Sequence, residues 1–76
     1  MKNYEVTVAF SPDRDDAFAE IGFGNKIIAE VAERSGGNVL TLFHHSGPEQ
    51  YLCADFIAAL QEAEAKLRGV ERAHSD

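Results

Sequence analysis

Seventy-six residues make one small domain with room for a single core, and a chain this short gains from burying surface against a partner. Hydrophobic residues make up 45% of it, which excludes global disorder, and no apolar run is long enough to span a bilayer. Thirteen Asp and Glu against seven Lys and Arg give a net charge of −6, which argues against nucleic-acid or anionic-membrane binding and permits a basic partner. A charge of this size also does no more than keep a small protein soluble. The single Cys excludes an internal disulfide and fits a reducing cytosol. Met1-Lys-Asn-Tyr4 leads straight into a strand-like pattern, so no signal peptide is expected and the location reads as cytoplasmic.

Tyr4, Val6, Val8 and Phe10 alternate with Glu5, Thr7 and Ala9, the period of a half-buried strand expected over 3–10. Ser11-Pro-Asp-Arg-Asp-Asp16 then breaks it with turn chemistry. Residues 17–34 admit two readings. As a helix (12–35, in a β-α-β-α order), Ser11-Pro12-Asp13 would cap the start, and Phe18, Ile21, Ile28 and Val31 would share a face. Gly22 and Gly24 would then lie mid-helix, at about 1 kcal/mol each relative to Ala. Only two strands would remain, too few for an independent sheet.

As strands over 17–23 and 27–34, the same residues give Gly24-Asn25-Lys26 as one hairpin loop and Gly36-Gly37 as another. Phe10 then pairs with Ala17, Val8 with Ala19, Val6 with Ile21 and Tyr4 with Phe23. The loop places Phe23 opposite Ile27 and Ile21 opposite Ala29, and the second turn places Val31 opposite Leu42 and Ala29 opposite His44. Three turns then agree on one apolar face, so a four-stranded antiparallel meander with a last strand over 38–44 is the expected fold.

His44-His-Ser-Gly-Pro48 leaves the sheet, and Ser46-x-x-Glu49 could open a helix early as a capping box. Otherwise Gln50-Tyr-Leu-Cys53 crosses the sheet end as irregular chain. The helix itself is expected over 54–68. Phe56, Leu60, Ala63 and Leu67 form its apolar stripe, Asp55 suits its positive end, and Glu62–Lys66 and Glu64–Arg68 are i,i+4 pairs. Gly69 ends it and 70–76 forms a frayed tail, giving one α+β domain over 1–69. The stripe is expected to cover Val6, Val8, Ile21, Val31 and Leu42.

This register leaves a second face bare, holding Glu5, Thr7, Phe18, Glu20, Ile28, Glu30, Thr41, Phe43 and His45. Apolar side chains among carboxylates suggest a docking surface for a protein with a basic surface, or a homodimer interface in a structural or assembly component. A solvated sheet face with a few stray apolar residues is the plainer account. Candidate partner-binding residues are therefore Glu5, Phe18, Glu20, Ile28, Glu30 and Phe43, with Asp13, Asp15 and Asp16 of the first turn as an acidic group. A solvated turn also favours Asp, and Arg14 among them weakens any phosphate mimicry.

No catalytic, cofactor or metal site is expected. His44 and His45 are adjacent on a strand and point to opposite faces, and the lone Cys53 adds no ligand spacing, reading better as a small buried hydrophobe. Asp13-Arg-Asp-Asp16 lacks the Gly and distal Glu of a calcium loop. No Gly-rich loop with a Lys cradles phosphate. Hairpin-linked strands closed by Asp55-Phe-Ile-Ala-Ala-Leu-Gln-Glu-Ala-Glu-Ala-Lys-Leu67 resemble small bacterial proteins of the toxin-immunity type. In size and acidity the chain is similar to inhibitors carried by phages and mobile elements, including anti-CRISPR proteins. The resemblance covers roughly residues 17–68 and rests on pattern, so it carries over no residue by position. It implies a non-enzymatic protein that binds another protein and blocks it.

Overall fold

In a computed structural model the chain is described over residues 3–10, 17–43 and 47–74, with the backbone alone for 70–74. Four strands, β1 (Tyr4–Phe10), β2 (Ala17–Phe23), β3 (Lys26–Arg34) and β4 (Gly37–Leu42), precede one helix, α1 (Cys53–His74). The strands form an antiparallel meander in the order β1-β2-β3-β4, with α1 against one face. The helical alternative for 12–35 does not form, because 17–23 and 26–34 are strands.

Between β1 and β2 the pairing is as expected, from Tyr4 opposite Phe23 to Phe10 opposite Ala17. The next hairpin differs in detail. Its loop is only Gly24-Asn25, and Phe23 faces Lys26 rather than Ile27. Gly24 has φ +63° and no other residue of the turn has positive φ, the arrangement of a II′ turn, whose first central position favours Gly. The shorter loop removes one residue from the count and a β-bulge restores it. Gly22 faces Ile27 and Ile21 faces Ala29, so Ile28 is the extra residue. Beyond the bulge the register is the expected one.

The third turn is Ser35-Gly36, with Arg34 opposite Gly37, whose φ is +127°. This displaces β4 by two residues from the expected pairing. Ala29 faces Leu42 instead of His44, and Val31 faces Leu40 instead of Leu42. A two-residue shift keeps every side chain on its expected face, because the strand period is two.

The core joins Val6, Ala19, Ile21, Ala29 and Val31 of the sheet to Ala59, Ala63 and Leu67 of α1. Four alanines in that set have no exposed surface, so the helix approaches the sheet closely. Tyr4, Phe23, Tyr51 and Phe56 close one end of the core, with ring centroids 4.5 Å apart for Phe23–Tyr51 and 6.3 Å for Phe23–Phe56. Two polar contacts fix the helix towards β1: Asn3 Nδ2 donates to Asp55 Oδ2 at 3.0 Å, and Lys66 Nζ donates to the Val6 carbonyl at 2.8 Å.

Three helix expectations change. α1 begins at Cys53, where the Phe56 amide bonds the Leu52 carbonyl at 3.0 Å, so 47–52 is the irregular crossing segment. Gly69 does not end it, and the helix runs through the expected tail to His74. Leu42 is not covered, because the helix packs chiefly over β1 and β2 and leaves it 56% exposed. Glu62 and Lys66 pair at 3.2 Å as expected, whereas Glu64 accepts from Asn38 Nδ2 of β4 at 2.6 Å.

Candidate interaction surface

The sheet face away from α1 is built of rows running across the strands. One row is Thr7, Glu20, Glu30 and Thr41, each residue directly opposite the next. On one side of it lie Ala9, Phe18, Ala32 and Val39, and on the other Glu5, Gly22 and Ile27. An acidic band therefore separates two less polar ones. Glu20 and Glu30 face each other across the β2–β3 ladder, a like-charge cross-strand pair that opposes folding by a few tenths of a kcal/mol, on the order of 0.2–1.

The candidate residues fall differently within this face. Glu5 is exposed, Glu20 and Glu30 are half-buried, and Phe43, which follows β4, is exposed. Phe18 lies in the apolar row but is only 9% exposed, so it underlies the surface rather than projecting from it. Ile28 is a correction. At 4% exposure it belongs to the core cluster, because the bulge turns it to the helix side together with Ala29. Its place on the outer face is taken by Ile27, which is exposed and lies opposite Gly22. Asp13, Asp15, Asp16, His44 and His45 lie outside the described residues. Cys53, expected to be buried, is an exposed free thiol on the first turn of α1.

A shallow depression of about 150 Å³ lies on the outer face, lined by Glu5, Thr7, Glu20, Gly22, Lys26 and Ile27. A Cβ on Gly22 would stand 3.3 Å from the Lys26 carbonyl and 3.5 Å from Ile27 Cδ1, so a side chain there would crowd the β3 backbone. Lys26 does not neutralise the two carboxylates. Its ammonium pairs with Glu49 at 3.1 Å and ties β3 to the crossing segment. Among the described residues no group of three or more His, Cys, Asp or Glu could hold a metal ion. No helix among them is long and apolar enough to cross a membrane.

β4 is the other unusual surface. All six of its residues are exposed, among them Val39, Leu40 and Leu42. Sequence reasoning placed Leu42 beneath the helix and so missed this. The available signal was the absence of any charge from Ser35 to Pro48. Comparison with protein-family models, curated proteins and solved structures finds no match to this chain.

Proposed function

We propose that this protein is a non-enzymatic acidic inhibitor of the immunity or anti-CRISPR kind, which docks on a basic protein surface through its outer sheet face and blocks it. One observation carries the reading: the band of Thr7, Glu20, Glu30 and Thr41, in which two carboxylates are held opposite each other between apolar flanks. A basic side chain placed over Glu20 and Glu30 would meet two carboxylates at once, which favours association with a cationic surface. Ile27 and Phe43, both on the Gly22 side of the band, would supply apolar contact, and Glu5 a third carboxylate at the rim. No cofactor or metal takes part in this reading, and the working location is the cytoplasm.

The test is affinity capture from the native host followed by mass spectrometry, with wild-type protein beside a Glu20→Lys/Glu30→Lys double variant and Phe43→Ala. A specific partner lost from the folded double variant, and depleted with Phe43→Ala, is the expected result. Folded variants that retain the whole partner set would refute the assignment.

A further inference from the structure

We propose that the protein forms a two-fold homodimer by antiparallel pairing of β4 with β4 of a second copy, joining two four-stranded sheets into one. This edge adjoins the outer face, sharing Val39 and Thr41 with it, but the inference does not rest on that face's role.

The backbone geometry comes first. β1 and β4 are the two edges of the sheet. The Phe43 amide donates to the Ile28 carbonyl at 3.0 Å, so Phe43 turns its backbone groups towards β3. With a period of two, Thr41 and Val39 do the same, while Asn38, Leu40 and Leu42 aim their N–H and C=O groups at the open edge. An antiparallel edge of this kind is complementary to itself under a two-fold axis. A register centred on Leu40 sets Leu40 opposite its own copy and Asn38 opposite Leu42, so every outward-pointing residue of the strand is paired.

The two edges are not equally protected. β1 carries Glu5, and Lys66 reaches over to the Val6 carbonyl. β4 has none of the usual guards, neither charge nor proline nor bulge, and residues 35–48 are the longest run of the chain without Asp, Glu, Lys or Arg. For a molecule of net charge −6 this decides the occupant. Two copies repel each other least where carboxylates are sparse, and β4 is the edge strand that carries none. In the Leu40-centred register Thr41 meets Val39 across the seam, so no carboxylate faces another. The two Glu64 side chains, each bonded to its own Asn38, lie at opposite ends of the seam.

The side chains agree. Leu40 and Leu42 point to the helix side yet are 43% and 56% exposed. Ile57, 55% exposed, precedes Glu64 by seven residues and so shares the side of α1 that faces β4. Pairing through β4 brings the leucines of both copies together beside these isoleucines and removes that apolar strip from water.

Sedimentation across a concentration series, with hydrogen exchange on the same samples, tests this. A mass twice 8.3 kDa is expected for the wild type, falling to 8.3 kDa on dilution. Leu40→Lys, with unchanged circular dichroism, is expected to be monomeric throughout, while Glu20→Lys on the outer face leaves the dimer intact. Amides of Asn38, Leu40 and Leu42 should be slow in the dimer and fast on dilution, with Thr41 slow in both states. If Leu40→Lys does not fold, this alternation in the wild type decides. A wild type monomeric at every concentration, a dimer that survives Leu40→Lys, one dissociated by Glu20→Lys, or outward amides that exchange freely at high concentration each overturns the proposal. Capture of a target protein by the outer face is unaffected by any of these outcomes.

Discussion

At Tyr51 the hydroxyl donates to the Glu49 carboxylate, whose other oxygen takes the Lys26 ammonium. The phenol therefore spans the crossing segment while its ring stacks into the Phe23–Phe56 group. The hydrogen bond to Glu49, followed by desolvation and the carboxylate's charge, pushes the Tyr51 pKa above the ordinary value of 10.0. The protonated phenol is the form the fold prefers. Its contribution is thus intact below the ordinary value and is lost as pH rises through the higher folded one. Ultraviolet titration of a Tyr4→Phe variant, in which Tyr51 is the sole tyrosine, should give a midpoint above 10.0, and adding Glu49→Gln should lower it. An unchanged midpoint would mean that the carboxylate does not hold the proton.

The helix and sheet meet through small residues. Ala19 and Ala29 on one side, and Ala59 and Ala63 on the other, have no exposed surface. Close approach leaves no space for growth, so Ala63→Leu should destabilise by about 1–3 kcal/mol, read as a lower urea midpoint. A neutral result would place a void under α1. The same close packing was legible in the sequence as an apolar stripe, and so were four strands, since alternation in β1 and Gly-bearing turns fix the period. What was not legible was turn length. Gly24-Asn25 with Lys26 in the loop, and Gly24-Asn25 followed by a bulge, lead to the same Ile21–Ala29 pairing, so the pattern could not separate them. That ambiguity exchanged Ile27 and Ile28 between faces. Nor could periodicity locate the helix laterally. Asn3–Asp55 and Lys66–Val6 set its position over β1, and these contacts span more than fifty residues of chain. The bare β4 strip follows from them.

For the whole molecule, charge works against compactness. The net charge is −6, and the outer face holds Glu20 against Glu30. Among the described residues, attractive pairs such as Lys26–Glu49 at 3.1 Å and Lys66–Glu62 at 3.2 Å oppose this, both with accessible ammonium groups. Exposed pairs of this type contribute roughly 0–1 kcal/mol and are screened by salt as readily as the repulsion is. With thirteen acidic and seven basic side chains the net charge opposes the compact state, so salt should stabilise the fold. Urea midpoints are expected to rise from low salt to about 0.15 M NaCl, where the screening length is about 8 Å. Glu20→Thr should raise the low-salt midpoint by the equivalent of about 0.5 kcal/mol and reduce the further gain from salt, since it removes one member of the facing pair. A midpoint that fell with salt would show that the ion pairs dominate.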